Sequence, residues 1–179
     1  MTVEKHFLET TIGVFKNYKA LAEKSFAQLD LESDFHFLLD EESNSIALLI
    51  KHISGNMISR WTDFLTTDGE KPNRNRDEEF IDRKETRAQL MEKWDTGWNV
   101  FFDTLNSLKE DDLLKKITIR QEELTVLQAL TRQTAHYCYH IGQIVFLAKH
   151  LKGGNWKSLS IPKNQSAAHM KGTYLDNIK

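Results

Sequence analysis

Apolar residues that recur every three or four positions constrain this chain more than any other feature. Four long segments carry such a stripe, the pattern of a helix that buries one face. The first runs from about Thr2 to Leu29 and contains Phe7, Leu8, Thr11, Val14, Phe15, Tyr18, Leu21, Ala22 and Phe26. Because only two prolines occur in 179 residues, and Leu, Lys and Glu favour helices, we predict an all-α four-helix bundle.

A long polar loop separates the second and third predicted helices. The second starts near residues 44–45, which are good N-caps, and continues to Leu65. The loop spans residues 66–77, and the third helix begins between residues 77 and 86. An extended loop of this length reaches roughly 40 Å, enough to pass along a helix of about 20 residues. We therefore expect a crossover that lets helices two and three run in parallel.

The fourth predicted helix has clear ends. It begins at Thr125, where Thr125-Val-Leu-Gln128 fits a capping box. It stops near Lys152, because the glycine pair 153–154 cannot sustain it. Before it, residues 117–120 and 123–126 are expected to form a small hairpin.

The remaining features predict one cytoplasmic domain of residues 1–179. The tail, residues 155–179, is polar, but Trp156, Leu159 and Ile161 are expected to anchor it to the bundle. A net charge of −2 argues against nucleic acid as the main partner. No apolar run approaches the roughly 20 residues that span a bilayer, and the N-terminus lacks the layout of a signal peptide.

Two histidines, His136 and His140, lie four residues apart in the fourth predicted helix. Side chains at this spacing share a face about 5–6 Å apart, so both imidazoles can reach one metal ion. His52, beside the apolar positions Leu49 and Ile53, is the best third ligand. At about 1.5 Å rise per residue, antiparallel helices two and four bring all three to one height; a parallel arrangement fits less well but stays open. The alternative is three separate histidines, each hydrogen-bonded in or beside a core.

Other residues near the histidines carry weaker signals. Gly55 and Gly142 lie inside predicted helices, where each costs about 1 kcal/mol relative to alanine. Close approach of a backbone or a substrate would explain them, and tolerated surface glycines are the alternative. Cys138 points to a different face from the histidine pair and is not expected to be a ligand or nucleophile.

Six polar residues complete the candidate site. Candidates to orient the imidazoles are Asn56, Tyr139 and Gln143. Candidates to bind a substrate carboxylate or phosphate are Arg60, Arg74 and Arg76. For both sets the alternative is an ordinary role in packing or in a solvated surface.

Two stretches resemble the DinB/YfiT-like superfamily of metalloenzymes: HISGNM at 52–57 and AHYCYHIGQIV at 135–145. The stretch GNMISRWTDFLTTDGEKPNRNRDEEF at 55–80 is similar to one branch of small bacterial proteins, the domain of unknown function 1572 (DUF1572). The most specific element, H-x-x-x-H-x-G-Q-I, is intact at residues 136–144. The resemblance covers nearly the whole chain.

The resemblance implies an up-down-down-up bundle with a divalent metal, zinc or nickel, on His52, His136 and His140. It also implies a homodimer and a small-molecule substrate. Some members of the superfamily are thiol-dependent S-transferases that use a low-molecular-weight thiol such as bacillithiol, mycothiol or glutathione. The DUF1572 branch itself has no settled activity.

Three neutral imidazoles leave an open metal position, which is the catalytic rather than the structural pattern for zinc. Such a metal lowers the pKa of bound water to about 7 or holds a thiol as the nucleophilic thiolate. The sequence does not choose between them. Our first hypothesis is a metal-dependent transferase or hydrolase. The alternatives are a non-catalytic metal-binding module (a sensor or interaction dimer) and, ranked lowest, a purely structural metal.

Overall fold

The computed structural model describes residues 1–168, and four long helices within them confirm the predicted all-α fold. The helices are α1 (Val3–Phe26), α2 (Ile46–Trp61), α3 (Arg87–Ser107) and α4 (Val126–Lys152). Each begins after a Ser or Thr whose hydroxyl accepts a hydrogen bond from a first-turn amide, as expected of an N-cap. At α4 the predicted capping box of Thr125 and Gln128 is present.

The structure differs from the prediction at the ends of α2 and α3. The apolar pattern of α2 continues to Leu65, but the helix ends at Trp61 because Thr62 adopts an extended backbone, which the left-handed Asp63 (φ of 48°) follows. The range predicted for the start of α3 opens at residue 77, but Asp77–Phe80 form a separate 3-10 helix. α3 itself starts at Arg87, one position beyond the predicted window.

Helices α2 and α3 run in parallel, as the long loop predicted. Gly97 of α3 lies against Ser54 of α2, where an added Cβ would stand 2.8 Å from the Ser54 Cα. Seven residues further along both helices, the Thr104 hydroxyl donates to the Trp61 carbonyl at 2.8 Å. Because both residue numbers rise together, the segment between the helices is a crossover.

Helix α1 is antiparallel to α3 and helix α2 is antiparallel to α4, which completes the up-down-down-up arrangement. Contacts between α1 and α3 pair Phe15 with Phe101 and Phe26 with Trp94. Contacts between α2 and α4 pair His52 with His140 and Arg60 with Gln133. In both sets one residue number rises as the other falls. None of the helices in the described residues reaches the length and apolarity that crossing a membrane requires.

Buried aromatic rings fill the centre of the bundle. Trp61, Trp94 and Trp98 are at most 1% exposed, so they are core residues rather than a ligand cage. Tyr137 of α4 is fully buried among them. Its hydroxyl accepts a hydrogen bond from the Trp61 indole at 3.2 Å. The core therefore extends from the helix interfaces to the residues beneath the histidines.

The predicted hairpin is present as β1 (Lys116–Ile119) and β2 (Glu122–Thr125), paired antiparallel. The crossover loop is fastened to its tip. The Asp68 carboxylate accepts the backbone N–H groups of Arg120 and Gln121, both at 2.9 Å. This anchor places the loop and the hairpin at the same end of the cavity described below.

The tail follows the prediction in part. Trp156 packs half-buried against the core, and the backbone N–H of Lys157 donates to Gln28 of α1 at 2.8 Å. Leu159 is half-buried, whereas Ile161 is 48% exposed. The predicted packing of residues 169–179 lies outside the described residues.

Candidate metal centre

Three imidazoles meet between α2 and α4. The Nε2 atom of His136 lies 3.3 Å from Nε2 of His52 and 3.2 Å from Nε2 of His140, and the three ligand atoms lie within 4.8 Å of one another. Nitrogens that each lie about 2.0–2.1 Å from a tetrahedral zinc ion are roughly 3.3–3.4 Å apart. Two of the three spacings therefore already match a metal site, and the predicted juxtaposition is confirmed.

The crossover loop holds His52. Its Nδ1–H donates to the Glu79 carboxylate at 3.0 Å. Arg74 in turn donates hydrogen bonds to both oxygens of Glu79, at 2.8 and 2.9 Å. Burial alone would raise the pKa of Glu79, but the hydrogen bonds from His52 and Arg74 outweigh it and the pKa is lowered. A charged carboxylate at Nδ1 keeps the proton there and turns Nε2 toward the other histidines.

Glycine at position 55 allows this support. An added Cβ at Gly55 would lie 2.3 Å from an oxygen of Glu79, a distance that real Cβ atoms do not adopt. A close approach does occur at Gly55, but the approaching group is the side-chain carboxylate that orients His52, not the backbone or substrate that we predicted. At Gly142, by contrast, an added Cβ would meet nothing within 4 Å, and this glycine is a tolerated surface residue.

A glutamine on α4 holds His140. The Nδ1–H of His140 donates to the Gln143 side-chain oxygen at 2.8 Å. The Gln143 amide then donates to the Tyr139 hydroxyl at 3.1 Å, and the ring of Tyr139 packs against that of His140. Gln143 thus contacts a candidate ligand directly, and Tyr139 acts on it through Gln143 and through ring packing.

A second glutamine, Gln133, contacts His136 from one turn earlier on α4. Its amide nitrogen lies 2.9 Å from Nδ1 of His136 and also donates to the Asn56 oxygen at 3.0 Å. Its oxygen accepts from Arg60 at 3.1 Å. Metal binding through Nε2 requires a proton on Nδ1 of His136, so the Gln133 amide would have to turn its oxygen toward that atom. Asn56 lines the same cavity and is linked to His136 through Gln133.

The surroundings keep the α4 histidines neutral. Burial lowers the pKa of His136 to about 3, and the neighbouring His140, His52, Arg60 and Arg132 add to the shift. Burial also lowers the pKa of His140. Neutral imidazole is the form that binds a metal, so protons compete weakly for these two nitrogens at neutral pH.

A cavity of about 340 Å³ opens over the histidines. The arginines predicted to bind substrate all line it: Arg60, Arg74 and Arg76. Arg74 already bonds Glu79 and Glu70. Contact of these arginines with a substrate remains a prediction. Cys138 is half-buried and its thiol bonds Tyr18 of α1, away from the cluster.

Several residues of the site escaped the sequence prediction. Gln133 precedes His136 by three residues as Gln143 follows His140 by three, so helical spacing could have identified it. Glu79, Arg120 and Arg132 carry no such signal. Glu79 comes from the short 3-10 helix of the crossover and Arg120 from the hairpin tip, and the backbone path of these segments does not follow from periodicity. Nothing in the sequence distinguishes Arg132 from an ordinary exposed arginine.

Fold and site together define a helical-bundle protein with a three-histidine cluster able to hold a metal ion. A sequence profile of the family described as "Protein of unknown function (DUF1572)" matches residues 2–165. The chain therefore belongs to the DUF1572 family, as its sequence predicted. Comparisons with curated proteins and with solved structures found no match.

Proposed function

We propose that this protein is a metal-dependent transferase or hydrolase that acts on a small molecule. Zinc or nickel would be held by Nε2 of His52, His136 and His140. The observation that carries the proposal is the spacing of these atoms, 3.2 and 3.3 Å, at one wall of a 340 Å³ cavity. Among residues 1–168, the cluster contains no fourth His, Cys, Asp or Glu, so one metal position would face the cavity.

The protein's own residues would orient and shield such a metal. Glu79 and Gln143 fix the proton of His52 and His140 on Nδ1 and leave Nε2 free to bind. Asn56 and Gln133 continue this network under His136. When bound, the metal would supply Lewis acidity and lower the pKa of a coordinated water or thiol. We include a low-molecular-weight thiol as substrate because of the resemblance to DinB/YfiT-like proteins.

The position of the histidines favours catalysis over a purely structural metal. A structural zinc site is usually closed by four protein ligands, whereas this cluster has three and borders a cavity. The bundle also has its own apolar core, with four fully buried Trp and Tyr side chains. Folding therefore has a driving force that does not depend on a metal.

The test is turnover with and without metal, using protein purified without a histidine tag. A low-molecular-weight thiol with a chromogenic electrophile tests transfer, and chromogenic esters test hydrolysis. We expect turnover only in the zinc- or nickel-loaded protein, with loss in His52→Ala and retention in His6→Ala, an exposed histidine on α1. Turnover that survives complete metal removal would contradict the proposal. Bound metal without turnover of any substrate would favour the non-catalytic module.

The homodimer belongs to the same proposal and rests on the resemblance. Light scattering coupled to size-exclusion chromatography tests it, and a mass of one chain at micromolar concentration would contradict it.

A further inference from the structure

The cavity over the histidines carries more positive charge than the protein neutralises. It is lined by five arginines from α2, the crossover loop, the hairpin and α4: Arg60, Arg74, Arg76, Arg120 and Arg132. The acidic partners of this set are Glu70, which lies 3.1 to 3.8 Å from three of the arginines, and Glu79, which pairs with Arg74. Among residues 1–168, five guanidinium groups against two carboxylates leave three positive charges unbalanced.

Arg60 is the most deeply buried of the set. Only 5% of the residue is exposed, and its Nη2 lies 3.8 Å from Glu70, too far for a hydrogen bond. Its Nε–H has no hydrogen-bond partner within residues 1–168. Burial, followed by the charges of nearby Arg132 and Arg74, lowers the pKa of Arg60. A buried guanidinium with an unused donor is unfavourable unless another group accepts its hydrogen bond and balances its charge.

Arg120 is brought to the cavity by an unusual turn. Both residues at the hairpin tip, Arg120 and Gln121, have left-handed backbones, with φ of 53° and 65°. Asn-Gly is the common choice for such turns, because other residues adopt positive φ at a cost. Here Asp68 holds both backbone N–H groups. Strain supported in this way is typical of functional sites.

The two remaining arginines are free to bind. In the part of the chain that the structure describes, neither Arg76 nor Arg132 forms an ion pair with an acidic side chain. Arg132 lies one helical turn before His136. Arg76 stacks over the ring of Phe80 at 4.9 Å, and that ring packs 5.1 Å from His52. Both guanidinium groups therefore border the candidate metal ligands.

We propose that this cavity binds a small substrate through a doubly charged oxyanion group, a phosphate ester or a dicarboxylate, and that Arg76, Arg120 and Arg132 contact it. This inference rests on the proposed function and names its substrate class. Guanidinium groups bind such oxygens through paired hydrogen bonds. A volume of 340 Å³ is at the small end of ligand sites, which range from about 300 to 1,000 Å³. The substrate would therefore be small as well as anionic.

Calorimetric titration at fixed ionic strength tests the proposal, with inorganic phosphate and malonate as probes. Arg132→Gln is the test variant because this exposed side chain forms no ion pair within residues 1–168. Lys149→Gln, an exposed cation in the last turn of the same helix, is the matched control. We expect Arg132→Gln to weaken binding of both probes about tenfold and Lys149→Gln to leave it unchanged. Equal binding by Arg132→Gln and the unmodified protein overturns the proposal, as does equal weakening by both variants.

The same titration of metal-free His140→Ala separates this inference from the proposed function. We expect weaker phosphate binding that still depends on Arg132. Dependence on Arg132 in a protein that never binds metal would support the anion site while the enzymatic proposal fails. Metal binding without any effect of Arg132→Gln would leave the metal site standing and remove the anion site.

Discussion

The two halves of the histidine cluster are held by different chemistry. On α2, His52 is 5% exposed and donates to a carboxylate that is itself held by both a hydrogen bond and an ion pair from Arg74. On α4, His136 and His140 are half-buried and contact neutral glutamines of their own helix. The α4 half is thus local, whereas the α2 half depends on a loop 27 residues away in sequence. We therefore expect substitutions in the loop to weaken metal binding more than matched substitutions on α4.

Removal of Glu79 should give the largest effect. In Glu79→Ala, His52 loses its acceptor and Arg74 keeps only Glu70. We expect zinc affinity to fall about 100-fold, at the upper end for a residue that orients a ligand, and the free energy of unfolding to fall by about 3 kcal/mol. Chelator competition and urea denaturation measure the two quantities.

The matched change on α4 is Gln143→Ala, which removes a neutral acceptor from a less buried histidine. We expect a loss of zinc affinity nearer tenfold. If Gln143→Ala weakens zinc binding as much as Glu79→Ala, the proposed difference between the halves is wrong.

The two helix glycines provide a second, smaller contrast. Gly55→Ala places a methyl group against the Glu79 carboxylate, so it should displace the loop and weaken zinc binding by about tenfold. Gly142→Ala meets open space and should raise the free energy of unfolding by up to about 1 kcal/mol without changing zinc affinity. Identical zinc affinity in the two variants would show that the fit of the loop does not matter.

Acid should lower the free energy of unfolding of the metal-free protein, because His136 on α4 resists protonation in the fold. The pKa of His136 is lowered to about 3 in the fold but is about 6.5 when unfolded. The unfolded chain therefore takes up a proton below pH 6.5 that the folded chain resists, and stability falls as the pH drops. The pKa of Glu79 is also lowered, but its contribution is lost only below about pH 4.5.

The melting temperature of the metal-free protein measures this acid sensitivity. We expect His136→Asn to flatten the fall in melting temperature between pH 6.5 and 5, with His6→Asn as control. If the melting temperature of His136→Asn falls with pH as steeply as that of the unmodified protein, His136 is not the source of the acid sensitivity.

The same division explains what could be predicted from sequence. The pairing of His136 with His140 follows from helical periodicity, and the level of His52 follows from the rise per residue. Both depend only on regular geometry, as do the capping box at Thr125 and the crossover. Glu79 could not be predicted, because its position depends on how an irregular loop folds back over α2.

Two further differences have the same origin. The apolar pattern to Leu65 predicts a longer α2, but an extended Thr62 and a left-handed Asp63 end it earlier. Arg120 reaches the cavity because Asp68, far away in sequence, stabilises a left-handed turn. Such nonlocal contacts leave no periodic signal, so Glu79 and Arg120 become part of the site only in the fold.

The central claim is that His52, His136 and His140 bind one metal ion together. Elemental analysis of protein purified without a histidine tag tests it most directly, on the unmodified chain and on the three single alanine variants. We predict close to one zinc or nickel ion per chain in the unmodified protein and a sharp loss in each variant. Full metal content in all three variants would contradict the account.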